Sequence, residues 1–342
     1  MKAEIGGYFE LELPEGNPNF LHSDGVLLNS GRHALEFILM SFKEKPRKVW
    51  LPGYTCETIL QPFERLGINY CTYDISENLE MGTQVNPELG EYIIANNYFG
   101  IKDAYMAELS QRYGNKLIID QSQAWYANPE ENTYSFYSPR KFFGLPDGGV
   151  ATGVQGPNAD YFPTDHSSER FGHLLKRHEK EAHEGYSEFK ANSLVLSSIG
   201  VQKMSPLTRR LLSIIDMEAV KNKRLENFSI LAKELATINS FQVPEIGSFE
   251  CPMVYPFRCE LPGLRNYLIE NKVFVATYWP NILNSDKVDS SEKKLSSCLL
   301  PLPVDQRYGK QEMKFIISLI FEFMEQTAMH NTLSSNNLMG GG

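Results

Sequence analysis

The sequence predicts an α/β protein, with a large domain on a mostly parallel sheet followed by a smaller C-terminal α+β domain. Three observations carry this. Through the first half, short apolar runs alternate with helical stretches, and such alternation implies parallel strand pairing. After Val243-Pro244 a second compositional unit begins. The length of 342 residues suits roughly two domains of about 100–200 residues each. The boundaries read as an arm over 1–25, a large domain over 26–238, a small domain over 239–328 and a tail over 329–342.

The elements follow in order. The arm is rich in Gly, Pro and Asn. Gly31 to Phe42 carries Leu35, Ile38, Leu39 and Phe42 at helical spacing, with Ser30 and Gly31 at the N-terminal position. Lys48 to Leu51 reads as a strand and Thr55 to Leu66 as a helix. Asn69 to Tyr73, Tyr92 to Ala95 and Leu117 to Asp120 read as strands, with a helix over Ala104 to Tyr113. Tyr134 to Tyr137 and Gly149 to Gly153 read as two more strands joined by a tight loop. Residues 157–195 are charged, hold four of the seven histidines, and read as a solvated polar segment. His173, His178 and His183 recur every five residues, a rotation of about 140° on a helix, so they do not share a face for a metal. A long helix is expected from Leu207 to Leu235, then strands near Met253–Phe257 and Val273–Ala276, then an amphipathic helix over Lys310 to Gln326. The Ser-, Asn- and Gly-rich tail is expected to be disordered.

Composition excludes several classes. The formal net charge is −9 and no basic run is present, which argues against a nucleic-acid surface. No apolar stretch approaches the roughly 20 residues that span a bilayer. Met1-Lys2-Ala3-Glu4 does not open an apolar leader. The five cysteines are widely spaced without a C-x-x-C, as expected for reduced thiols in a cytoplasmic protein. Neither a P-loop nor a Rossmann glycine fingerprint occurs.

Two residues stand out for chemistry. Asp120 ends the apolar strand Leu117-Ile118-Ile119, and ligands of α/β sheets sit beyond the carboxyl ends of parallel strands. Lys141 follows the next strand, flanked by Phe142 and Phe143; burial among aromatics would favour the neutral amine that Schiff-base chemistry needs. Alone, each reads more readily as a capping or loop acid and a surface lysine. Together they match the needs of pyridoxal phosphate (PLP), which takes a lysine on its carbonyl carbon and an acid opposite its ring nitrogen. Ser138 and the helix start Asn29-Ser30-Gly31-Arg32-His33 suit a phosphate, through a hydroxyl, free N–H groups and the positive end of the helix dipole. An ordinary Ser N-cap is the alternative there.

This order of motifs resembles the PLP-dependent fold type I enzymes, and among them the DegT/StrS sugar aminotransferases. Ser30-Gly31-Arg32-His33-Ala34-Leu35 is similar to the family's phosphate loop, and Leu51-Pro52-Gly53-Tyr54-Thr55 to its Pro-x-x-Thr segment. Asn97-Tyr98-Phe99-Gly100 resembles its His-x-Tyr-Gly turn, and Asp120-Gln121-Ser122-Gln123 has its Asp-x-x-Gln spacing. Ser138-Pro139-Arg140-Lys141 with Asp147-Gly148-Gly149 resembles the lysine segment and the hairpin after it. Val275-Ala276-Thr277-Tyr278-Trp279-Pro280 and Leu300-Pro301-Leu302-Pro303-Val304 are similar to two late signatures. The resemblance covers about residues 25–325.

The resemblance implies a three-layer large domain and PLP as cofactor. It makes Lys141 and Asp120 catalytic, with Ser30, Gly31, Arg32, Tyr54, Asn97, Gln123 and Ser138 around the cofactor and Gln123 near the ring hydroxyl; Tyr54 reads as a substitute stacking face or, more simply, as a packed aromatic. It also implies glutamate as amino donor, a keto sugar, nucleotide-linked, as acceptor, and a homodimer with sites at the interface. Three departures stand beside it. Phe136 occupies the usual Ser position five residues before the lysine, and Cys56 the usual aromatic position over the ring. Gly185-Tyr186-Ser187-Glu188-Phe189-Lys190 is the nearest match to the Asn-Tyr-Arg motif that the family takes from its partner subunit. Arg32 and Arg140 suit a substrate phosphate or carboxylate. The same residues leave open a PLP enzyme acting on a non-sugar carbonyl or amino acid, and a non-catalytic protein that binds a nucleotide sugar.

Overall fold

The computed structural model describes residues 5–284 and 290–339. The chain forms β1 (Val26–Leu28), α1 (Gly31–Ser41), β2 (Lys48–Pro52), α2 (Gln61–Leu66), β3 (Tyr70–Tyr73), β4 (Glu91–Asn96), α3 (Asp103–Tyr113), β5 (Leu117–Gln121), β6 (Tyr134–Tyr137) and β7 (Gly149–Thr152). Then come α4 (Gly172–Glu179), α5 (Tyr186–Ser198), α6 (Pro206–Ile214) and α7 (Met217–Leu235). The last elements are β8 (Val254–Arg258), α8 (Leu264–Glu270), α9 (Pro280–Leu283), α10 (Ser290–Cys298), β9 (Leu299–Pro303) and α11 (Lys310–Met339).

Strands β1 to β7 make one sheet in the order β1-β7-β6-β5-β4-β2-β3. The pairs β2·β3, β2·β4, β4·β5 and β5·β6 are parallel; β7 is antiparallel to both β6 and β1. Strand alternation sends side chains to two faces, and both faces are covered. Ile94, Ile118, Phe136 and Ala151 pack with Leu35 and Ile38 of α1. Ile93, Ala95, Leu117 and Ile119 pack on the side of Leu109 of α3, in a cluster that continues to Phe228 and Leu231 of α7. The result is three layers, helix–sheet–helix. The second sheet is the antiparallel pair β8·β9. Among the described residues no helix is long and apolar enough to cross a membrane.

Several sequence expectations need correction. β1 escapes the pattern reading because it is three residues long. The connection between β6 and β7 is no tight loop: it holds residues 138–148, including a 3₁₀ turn over Pro139–Lys141. The stretch Thr55 to Leu66 divides into a 3₁₀ turn, Glu57–Leu60, and α2. The long helix expected from Leu207 breaks before Asp216, whose side chain accepts from Ala219 N at 2.9 Å and restarts the chain as α7. Val273–Ala276 forms no strand; β8 finds its partner in β9 instead. The polar segment 157–195 contains α4 and most of α5, anchored by buried His173 and Asn192. The tail continues helically to Met339, because turns nucleated by packed Met313, Ile316 and Ile320 propagate one residue at a time; Gly340 to Gly342 lie outside the described residues.

Candidate active site

The carboxyl ends of β4, β5 and β6 stand in register, with Asn96 beside Asp120 and Asp120 beside Phe136. Asp120 lies on the same side of the sheet as Ile118, the side covered by α1. Beyond these strand ends opens a cavity of about 1060 Å³. Asp120, Ser122, Ser138, Arg140 and Lys141 line it, together with Ser30, Gly31 and Arg32 from the start of α1. Its far wall comes from later segments: His173 and Phe189 of α4 and α5, Phe274, and Phe315 of α11.

Lys141 is exposed to the cavity, and its Nζ donates to Ser122 Oγ at 3.3 Å. Of the two flanking aromatics, Phe142 turns into the core, edge-on to Tyr126 at 5.9 Å, while Phe143 packs edge-on to Trp125 at 6.1 Å and also lines the cavity; Lys141 itself stays exposed rather than buried among them. The carbonyl of Phe142 accepts from Gln306 Nε2 at 2.8 Å and from the buried Arg224 at 3.3 Å, so two later elements pin the backbone next to the lysine. Asp120 Oδ1 accepts from Ser122 N at 2.8 Å. Burial pushes the Asp120 carboxyl above its ordinary range, while the Lys141 ammonium and the Ser122 hydrogen bonds pull it back. Amine and acid thus share one cavity and one electrostatic field.

The other expected site residues divide. Gln123 accepts from Phe99 N at 2.9 Å through Oε1, and its buried Nε2 meets no partner; it lines a small recess with Asp120 and Lys141. Asn97 lines the same recess, but its side chain is spent on Asp103 (2.6 Å), Gln121 (2.8 Å) and Lys102 N (3.0 Å). It holds the turn and has no donor left for a cofactor. Tyr54 does not face the cavity: its ring is buried 4.9 Å from Trp279 and 5.7 Å from Tyr98, and Cys56 takes the lining position. Packing against two aromatic rings outcompetes a stacking role.

At the start of α1, two glycines allow close approach. A Cβ on Gly149 would fall 2.2 Å from the Ser30 carbonyl, and one on Gly31 would sit 3.3 Å from Ser138 Cβ. Ser30 Oγ lies 2.8 Å from His33 Nδ1. His33 Nε2 lies 3.0 Å from the Ile199 carbonyl, which only accepts, so Nε2 carries the proton and Nδ1 accepts from Ser30. Burial and the nearby Arg65 and Arg32 keep His33 neutral, with its pKa pushed down to about 3. Ser122 is the residue that motif reading passed over. Its place in the turn just past the end of β5, two residues after Asp120, was the available signal.

Solved structures share this architecture. CalS13, a sugar aminotransferase from Micromonospora echinospora, is 15% identical and matches with a TM-score of 0.59 over 87% of each chain. A DegT DnrJ EryC1 StrS aminotransferase from Brucella abortus is 15% identical over 87% of this chain and 85% of its own, with a TM-score of 0.57. Spr1654 from Streptococcus pneumoniae, solved in a PLP form, is 16% identical over 90% of this chain and 89% of its own, with a TM-score of 0.62. The chain shares the fold of these structures, the type I fold. No family model and no curated protein matches the sequence itself. The resemblance read from the motifs holds at the level of this fold.

Proposed function

We propose that the chain is a PLP-dependent aminotransferase that moves an amino group from glutamate to a nucleotide-linked keto sugar. One observation carries the reading: Asp120 and Lys141 line one cavity beyond the strand ends of a type I fold. The donor set fits PLP. Lys141 supplies the amine and Asp120 the acid for the ring nitrogen. The unpartnered Gln123 Nε2 suits the ring hydroxyl, and Ser138 beside the start of α1 suits the phosphate. When bound, PLP supplies an electrophilic carbon and a ring that takes up charge from the substrate.

This chain's residues do the rest. The Lys141 amine would move a proton as base and then as acid. Ser122 steadies that amine. Asp120 would hold the ring nitrogen, and a cationic neighbour there would offset the burial that disfavours its ionised form. We take 26–238 as the cofactor domain and 239–328 as the domain that supplies Phe274 and Phe315 to the wall. A homodimer closing over the cavity is part of the proposal. Its support is the exposure of Tyr186, Phe189, Phe274 and Phe315, since exposed apolar side chains clustered at a site mark an interface. The five free cysteines are consistent with a cytoplasmic enzyme. A second reading, a less polar carbonyl acceptor, is favoured by the apolar wall of Leu174, Phe189, Phe274 and Phe315.

The test is an absorbance spectrum of pure protein before and after borohydride, followed by a peptide map. Reduced cofactor on Lys141 is expected. Protein that stays colourless after PLP is added would refute the reading. Assays with keto-sugar nucleotides against simple 2-oxo acids separate the two acceptors.

A further inference from the structure

We propose that Arg140 and Arg32 form a clamp for a phosphate-class dianion at the start of α1; assigning that dianion to the cofactor rests on the PLP reading above. Arg140 lines the cavity, and its Nε is shut off from solvent without a hydrogen-bond partner. The charges around it are already committed. Asp147, the carboxylate whose field reaches it, accepts from Ser205 N at 2.8 Å, from Ser205 Oγ at 2.6 Å and from Thr208 Oγ1. Arg170, the neighbouring cation, is held by both oxygens of Asp165 at 2.6 and 2.7 Å. Arg32 bonds to neutral acceptors, Gln61 Oε1 at 2.7 Å and Ser197 Oγ.

Among the described residues neither guanidinium has an ion-pair partner, and both face one cavity beside the positive end of a helix. Burial, with Arg32 next in weight, pulls the Arg140 pKa down to about 10, and the field of Asp147 only partly opposes this. An unpaired buried cation is costly, and an anion with charge-assisted hydrogen bonds removes that cost.

The serines narrow the ligand further. The Ser30 hydroxyl proton already points at His33, so Ser30 has none to offer an anion. Ser138 is free of side-chain hydrogen bonds and faces Gly31 at close range. Ser138, two guanidiniums and the helix end match the three terminal oxygens and the double charge of a phosphate monoester. A carboxylate, with two oxygens and one charge, leaves part of the set unmatched.

The first probe is inorganic phosphate, titrated into PLP-free protein and read by calorimetry and by melting temperature. Wild type is expected to bind, and Arg140→Met to bind on the order of 10–100-fold more weakly. Arg140→Lys should fall between, because it keeps charge without the fork, and Arg32→Met should weaken binding in the same direction. Without phosphate, Arg140→Met should melt higher than wild type, an effect a structural arginine would not produce. Equal phosphate affinity in wild type and Arg140→Met overturns the clamp, as does a lower melting temperature of Arg140→Met.

Two further titrations assign the source. If the cofactor supplies the dianion, Arg140→Met loses affinity for PLP but not for pyridoxal. If substrate supplies it, Arg140→Met loses affinity for a nucleoside diphosphate while PLP binding holds. Equal losses of PLP and pyridoxal overturn the clamp. Phosphate binding through Arg140 in a protein that never takes up PLP would sustain the clamp and refute the cofactor reading.

Discussion

The two ends of the cavity are built on opposite terms. At the strand ends, the side chains of Asn97, Gln121 and Asp103 form one network and Gln123 accepts from Phe99 N, and the atoms left over there, Asn96 Oδ1 and Gln123 Nε2, belong to neutral amides. At the start of α1, Arg140 lacks a partner, Ser138 is uncommitted, and Ser30 is engaged by a histidine. Saturated groups hold the backbone in place. Unsaturated groups that line a cavity remain available to a ligand. Gln123 spans both conditions, since one end grips Phe99 and the other is vacant.

Four experiments break or sharpen this contrast. Lys141→Ala has the largest expected effect: turnover of an amino donor and carbonyl acceptor falls roughly 10²–10⁴-fold. Because Lys141 is exposed, melting should barely move. A steady-state assay paired with a melting curve decides, and unchanged turnover would remove the lysine from the chemistry. Asn97→Ala comes next. It leaves Asp103, Gln121 and Lys102 N short of partners, at a cost of about 2–4 kcal/mol in urea unfolding. A cost below about 1 kcal/mol would mean that the saturated end is not a scaffold.

The pH dependence follows from His22 and His33. Burial holds them near pKa values of about 4 and about 3, against 6.5 when unfolded. The unfolded chain therefore binds more protons than the folded one below pH 6.5. Stability is full above that pH and falls as pH drops from 6.5 towards 4, by about 1.4 kcal/mol per pH unit for each histidine. Urea midpoints across this range measure it, and His33→Gln should flatten the slope. The smallest effect is that of Asp120→Asn. The folded-state pKa of Asp120 is raised above its ordinary 3.8, so its ionisation costs stability once pH exceeds that value. At pH 7 the PLP-free variant should melt higher than wild type while losing activity. A lower melting temperature would show that the pull of Lys141 outweighs burial.

Much of the fold was legible in the chain. The run Leu117-Ile118-Ile119-Asp120 announces a strand buried on both faces and ending in an acid, because continuous apolar runs and strand ends are local features. The 3.6-residue spacing of α1 and its Ser30 cap were equally plain. The roles at the site were less so. Tyr54 was legible as an aromatic beside a turn, but its neighbours Trp279 and Tyr98 come from distant segments. Asn97 looked like a cofactor ligand, and only Asp103 and Gln121 show its donors to be used. The helices α4 and α5 were hidden by charge, since a helix that packs through few residues leaves a weak periodic signal.

Order along the chain sufficed to place an acid and an amine at the ends of adjacent strands, because side-chain period and strand pairing depend on near neighbours. Whether each polar group arrives there committed or vacant depended on residues far away: Ile199 directs the His33 proton, and Ser205 and Thr208 occupy Asp147. Hydrogen-bond capacity is finite and short-ranged, so it is settled only when distant segments meet.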